Sequence, residues 1–246
     1  MKLILLRHGE SQWNLENRFT GWKDVSLTDK GIEEANFSGK AILKMEISID
    51  SVYTSILNRA IETTKIVTDI LKYPHEKINY EWRLNERHYG ALEGLNKSET
   101  AKKYGEEQVK IWRRSFEISP PKLNERDSRH PKFVEKFRKI DSVLPTGESL
   151  RNVIDRLNPF WKEYVDYLKK NSGNNLIIAH SNSLRAIIKM LENLTNNEII
   201  EVNVPTGVPL VYNLDEKINV IEKKYLIDEE SLIIKKNIVE NQGKIK

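Results

Sequence analysis

Three short stretches carry residues whose types suit phosphoryl chemistry. Leu6-Arg7-His8-Gly9-Glu10-Ser11 stops an aliphatic run on an arginine and a histidine. Arg59 follows the run Asp50-Ser51-Val52-Tyr53-Thr54-Ser55, and His180 closes Leu176-Ile177-Ile178-Ala179. A histidine attacks phosphorus when its ring is oriented and the attacking nitrogen is unprotonated. The incoming group is polyanionic, so fixed positive charge and hydrogen-bond donors must surround its oxygens. Arginine suits this role because it stays charged and donates two parallel bonds from a planar fork. Arg7, Arg59 and His180 would make such a cradle around His8. The substrate hydroxyl also needs a proton donor and acceptor, a task for a partly buried carboxylate. Glu86, in Leu84-Asn85-Glu86-Arg87-His88-Tyr89-Gly90, is the best placed candidate.

Taken singly, these residues decide nothing. An isolated histidine at a strand end is more often structural than catalytic. Arg59 alone reads as helix surface, and Lys110-Ile111-Trp112-Arg113-Arg114 as a solvated helix face with Trp112 packed inward. Glu10 reads as a structural carboxylate, as do His75, His88 and His130 as structural histidines, with His88 a candidate for a place behind the site. Other chemistries find little support. The chain has no GxxxxGK[ST] loop, no GxGxxG fingerprint and no GxSxG elbow, and its histidines lack metal-ligand spacing.

The elements that must position these residues share one grammar: a short apolar strand, a polar residue at its end, then a helix. It appears at Lys2–Leu6, at Asp50–Ser55 leading into a helix over Ile56–Leu71, and at Leu176–Ala179 leading into a helix over Ser183–Leu191. Continuous apolar strands alternating with helices predict a three-layer α/β/α arrangement with a mostly parallel central sheet. Ligands of such sheets bind outside the carboxyl ends of the strands. If the three strands are neighbours, His8, Arg59 and His180 meet in one crevice.

The chain reads as a single domain over 1–246, with an insert at about 82–144 that is long, polar and broken by Pro120-Pro121 and Pro131. Val202–Tyr212 reads as two strands joined by a Pro/Gly turn, and the Lys-rich tail, about 237–246, as mobile. At 246 residues, with 39% hydrophobic and 31% charged residues, the composition is that of a soluble globular protein. The absence of cysteine excludes disulfides and thiolate chemistry. A net charge of +4 suits a small anionic substrate and gives little support to nucleic-acid binding. No apolar window approaches a membrane span, and the N-terminal apolar run is shorter than a signal peptide needs, so a cytoplasmic location is expected.

In combination the motifs are far more specific. Leu6-Arg7-His8-Gly9-Glu10-Ser11 resembles the RHG signature of the histidine phosphatase superfamily. Asn14, Phe19-Thr20-Gly21-Trp22, Arg83–Gly90, Leu95–Thr100, Ile111–Ser115, Val204–Tyr212 and the ending Asn241-Gln242-Gly243-Lys244 all resemble the cofactor-dependent phosphoglycerate mutase family. That resemblance implies a phosphoglycerate mutase-like fold and interconversion of 2- and 3-phosphoglycerate through 2,3-bisphosphoglycerate, which primes a phosphohistidine without any metal. It implies that His8 is phosphorylated, that His180, Arg7 and Arg59 stabilise the transferred group, and that Glu86 is the acid and base. It also implies substrate contacts from Ser11, Asn14, Thr20, Gly21, Arg59, Glu86, Arg87, His88, Tyr89, Lys97, Arg113, Arg114, Ser181 and Asn182, and a homodimer or homotetramer. Gly9 is expected to let the chain turn close to a phosphate, and the tail to close over the site. One departure stands out: Ser181 occupies a position where the family usually has glycine, which would carry a strain if that backbone is left-handed.

Overall fold

The computed structural model describes residues 1–242 and residue 244, so Gly243, Ile245 and Lys246 of the expected tail lie outside the described residues. Strand β1 (Lys2–Arg7) is buried at every position after Lys2, which explains why its apolar run does not alternate. On one side it runs parallel to β4 (Asn175–Ala179), with Arg7 opposite Ala179. Beyond β4 lie β2 (Ser51–Thr54) and β3 (Ile78–Tyr80), each parallel to its neighbour. On the other side β5 (Leu210–Leu214) pairs antiparallel with β1, and β6 (Val220–Tyr225) pairs antiparallel with β5. The order β3-β2-β4-β1-β5-β6 makes the sheet mostly parallel, as the strand-end pattern predicts.

Alternate residues of the strands point to opposite faces, and each face is covered. After β1 the chain forms a single turn, α1 (Gln12–Leu15), and then α2 (Asp29–Leu43) and α3 (Asn58–Leu71). Ile42 of α2 and Val67 of α3 pack on Ile4, Leu6, Val52, Ile178 and Val211. In the expected insert, α4 (Lys97–Tyr104) and α5 (Glu106–Arg114) are joined at Gly105, and Ala101 and Val109 pack with Phe19, Tyr89 and Leu92. The expected insert is therefore not structureless: two short α-helices stand in it, their apolar stripe too narrow to stand out among charges. The opposite face of the sheet carries α6 (Leu150–Asn171) and α7 (Ser181–Glu192). Their Leu157, Tyr164 and Ile187 pack on Leu3, Leu5, Ile177, Ala179 and Tyr212. This gives the three layers, and the chain continues through a single turn, α8 (Glu198–Glu201), to β5, β6 and α9 (Glu229–Asn241).

Two expectations change near the C-terminus. Val202–Pro209 is irregular, and the hairpin is formed instead by β5 and β6. β6 is exposed along most of its length, so it has no apolar pattern to reveal it. Asn237–Asn241, expected to be mobile, are the last turns of α9, and Val239 is buried. No helix among the described residues is long and apolar enough to cross a membrane.

Candidate active site

Parallel pairing places the residues after β1 and β4 side by side. The His8 amide donates to the Ala179 carbonyl at 3.1 Å, and the His8 and His180 rings stand 4.9 Å apart between centroids. His8 Nδ1 lies 2.7 Å from the Gly9 carbonyl, a partner that can only accept, so Nδ1 carries the proton and Nε2 the lone pair. Arg59 Nε donates toward that lone pair at 3.3 Å. Burial, with Arg59 and Arg7 beside the ring, holds the His8 imidazole well below its ordinary pKa. The His8 ring is therefore neutral and oriented. Arg59 itself is fixed by the carbonyls of Lys23 and Gly21, at 3.0 and 2.9 Å, and burial lowers it to about 10. Gly21 is needed at its place: its φ is +56°, and a Cβ there would lie 2.8 Å from the Glu93 carboxylate.

His180 is held by Ser55 Oγ at Nε2, 2.7 Å away, while its buried Nδ1 has no partner among the described residues. Burial first, then Arg59 and His8, keeps this ring neutral as well. Arg7 donates to the Val204 carbonyl at 2.8 Å and leaves its buried Nε unpartnered. A Cβ at Gly9 would fall 2.1 Å from the Gly31 carbonyl, so its lack of a side chain admits the backbone of α2.

Glu86 hangs from a turn that is clamped on three sides. Its carbonyl accepts from Trp22 Nε1 at 2.6 Å and from Arg156 at 3.0 Å. Arg156, on α6, is ion-paired with the buried Glu148 at 2.7 Å, and Glu148 in turn accepts from the His88 amide at 2.8 Å. The Glu86 carboxylate accepts from the amides of Arg87 and Asn182, at 2.8 and 3.1 Å, and so bridges the turn to α7. Arg156 and Glu148 carry no motif in the sequence; only the fold brings them to this turn.

Arg7 and Glu86 border a cleft with about 510 Å³ of empty space, while His8, Arg59 and His180 are not among its lining residues. Its walls include Asn14, Thr20, Gly21, Tyr89, Lys97, Arg113, Arg114, Ser181 and Asn182, all anticipated, together with Arg7 and Glu86. Arg18 and Arg185 also line it and were not anticipated, and Val239 and Gln242 line it from the tail that was expected to close over the site. Arg185 could have been found as a cation one helical turn from Ser181; Val239 and Gln242 are placed by the docking of α9. Glu86 is the lone carboxylate of this wall, against six cations. Lys97 is buried, and desolvation together with Arg113 and Arg7 pushes its ammonium well below the usual lysine range. Burial and the neighbouring Arg114 lower Arg113 to about 10. Among the described residues neither has a carboxylate partner, an arrangement that an anionic ligand would relieve.

Four anticipated contacts are not on the wall: Arg59, which stands behind it beside His8, and three others. Ser11 is fully buried, and its hydroxyl and amide both engage Asn14 Oδ1, at 3.0 and 3.2 Å, so it presents Asn14 and does not itself line the cleft. Arg87 is fully buried behind Tyr89, with its guanidinium 4.9 Å from that ring and one arm on the Arg113 carbonyl. His88 is fully buried, accepts from the Gly90 amide at 3.0 Å, and burial lowers it to about 3. Ser181, feared as a strained position, opens α7 in right-handed backbone and is not among the residues of positive φ.

Two histidines at the ends of adjacent parallel strands, flanked by arginines and one clamped carboxylate, define an enzyme of phosphoryl transfer. The chain belongs to the histidine phosphatase superfamily, branch 1, whose family model matches residues 3–223. Its fold is similar to that of a mycobacterial glucosyl-3-phosphoglycerate phosphatase, at 19% identity and a TM-score of 0.66 over 91% of this chain and 96% of that one. It is similar to the alpha-ribazole phosphatase of Shigella flexneri, at 21% identity and a TM-score of 0.65 over 90% and 95% of the two chains. It also resembles Bacillus stearothermophilus YhfR, at 24% identity and a TM-score of 0.63 over 87% and 91%. At these identities the likeness is one of fold.

Proposed function

We propose that the protein is a 2,3-bisphosphoglycerate-dependent phosphoglycerate mutase, serving glycolysis and gluconeogenesis. The observation that carries this reading is the excess of cations beyond the phosphoryl cradle. Arg7, Arg59 and His180 suffice to surround one phosphoryl group at His8, yet the buried Lys97 and the half-buried Arg113 and Arg114 add a second cationic wall. A substrate with a carboxylate or second phosphate apart from the reacting one meets both walls. The unpartnered Arg7 Nε and His180 Nδ1 suit a polyanion of this kind. When bound, 2,3-bisphosphoglycerate would supply the phosphoryl group that primes His8.

In this mechanism His8 Nε2 forms a bond to phosphorus as the bond from phosphorus to the substrate oxygen breaks. Arg7, Arg59 and His180 hold the transferring oxygens, and Glu86 gives a proton to the departing oxygen. In the other half-reaction the single free hydroxyl of a bound monophosphoglycerate attacks the phosphohistidine, the phosphorus–nitrogen bond breaks, Glu86 recovers the proton, and the bisphosphorylated intermediate forms. Water must stay out while the intermediate reorients. The tail supports such a role, since Lys97 Nζ donates to Gln242 at 3.2 Å and Arg113 to the Val239 carbonyl at 3.3 Å.

A coupled assay with 3-phosphoglycerate, with and without 2,3-bisphosphoglycerate, tests the reading. Cofactor-dependent 2-phosphoglycerate is the expected product. Inorganic phosphate without 2-phosphoglycerate would replace the mutase by a phosphomonoesterase that uses the same His8. The homodimer or homotetramer is carried as part of this proposal, to be checked by light scattering.

A further inference from the structure

Arg185 stands on α7 and is almost wholly buried, yet among the described residues it has no carboxylate partner. It lines the cleft without belonging to the cradle at His8. Two of its nitrogens are committed: one donates to the Ile199 carbonyl at 2.6 Å and one to Asn182 Oδ1 at 3.0 Å, while Nε is buried and unpartnered. A guanidinium has no acceptor, so the Asn182 atom that faces it must be the oxygen. The Asn182 nitrogen is thereby turned the other way, where it lies 3.4 Å from the Tyr89 hydroxyl on the cleft wall. The same residue's backbone amide donates to Glu86 at 3.1 Å.

We infer that Arg185 is a positioning residue that sets the side-chain amide of Asn182 so that it offers the cleft a donor and not an acceptor. With the amide reversed, a carbonyl oxygen would face an anion and repel it. Lysine is no substitute, because one ammonium cannot span Asn182 and Ile199 as the planar fork does. Burial and the nearby Arg114 and Arg87 lower Arg185 to about 9, which leaves it charged at neutral pH and able to hold this geometry. The inference needs only a cleft that binds phosphate, and it survives if the mutase reading fails.

The test is calorimetric titration of the wild type, Arg185→Gln, Arg185→Lys, Asn182→Ala and the double variant Arg185→Gln/Asn182→Ala, using inorganic phosphate and 3-phosphoglycerate as probes. Arg185→Gln should weaken both by about tenfold, with Arg185→Lys recovering only part of the loss. Because the arginine acts through the amide, the double variant should bind about as well as Asn182→Ala alone. Full affinity in Arg185→Gln, or additive losses in the double variant, would overturn the inference. Far-UV circular dichroism separates unfolding from lost affinity. Should the variants not fold, the 15N-labelled Asn182 side-chain amide of the wild type is followed by NMR during the phosphate titration. A pair of amide signals that does not move would also overturn it. Failure of 3-phosphoglycerate binding alone, with the phosphate results as expected, strikes only the mutase reading.

Discussion

His8 and His180 stand on adjacent buried strands whose backbone pairing sets their spacing, whereas Lys97, Arg113 and Arg114 stand on two short helices over a small aromatic cluster, closed by α9. The first group is neutral, pinned by carbonyls and a hydroxyl, and ready for one reaction. The second is a crowd of cationic side chains without carboxylate partners among the described residues, held partly by the C-terminal helix. In the proposed reading, chemistry resides where the backbone is least able to move, and selection of the substrate where a ligand can complete the packing.

Breaking the first region should have the largest effect. His8→Ala removes the nucleophile, and kcat/KM should fall by about 10⁴-fold or more in a continuous assay. Retained activity would overturn the mechanism. In the second region, Arg113→Ala should raise KM for phosphoglycerate by about tenfold to a hundredfold, with a smaller loss in kcat. A loss confined to kcat would merge the two regions into one. Deleting Asn237–Lys246 removes the Val239 and Gln242 contacts and should lower the ratio of mutase to phosphatase turnover several-fold, read as 2-phosphoglycerate against free phosphate. An unchanged ratio would deny the tail any part in excluding water.

Acid should distinguish the regions through stability. His8, His180 and His88 are kept neutral when folded but take up protons when unfolded below about pH 6.5. Their contribution is therefore complete above that pH and is lost as pH falls. Glu93, raised by burial to about 7, acts in the opposite sense, stabilising the fold as pH drops from 7 toward its unfolded value. Three histidines outweigh one carboxylate, so Tm should fall by a few degrees between pH 7 and 5 in scanning calorimetry. A Tm that rises over this interval would contradict the burial of the histidines. The smallest effect is expected at Ser181→Gly, within about twofold in kcat/KM, because the backbone there is already helical.

The first region was legible from local pattern, since β1, β2 and β4 are short apolar runs ending on polar residues. Only the neighbour relation of β1 and β4 had to be supplied by the fold. α3 and α7 were legible too, each starting within two residues of its expected place or of the strand end. The second region was legible through resemblance alone, because Arg113 and Arg114 look like solvent-facing charge until Arg7, Tyr89 and the tail are placed beside them. Burial of Ser11, Arg87 and His88 was not legible, since a motif names residues without saying which of them stand one layer behind. Glu148 and Arg156 escaped for the same reason, and β6 escaped because an exposed edge strand has no apolar side to mark it.

The pairing of β1 also orders events in time. Its neighbours are Asn175–Ala179 and Leu210–Leu214, so this strand leaves the ribosome long before either of its partners. Until those segments emerge, Lys2–Leu6 is an unpaired apolar edge, and His8 has neither the Ala179 carbonyl nor His180 beside it. Closing so long a loop is slow and leaves that edge open to wrong partners. The growing chain consequently lacks the paired histidines until Asn175–His180 has emerged.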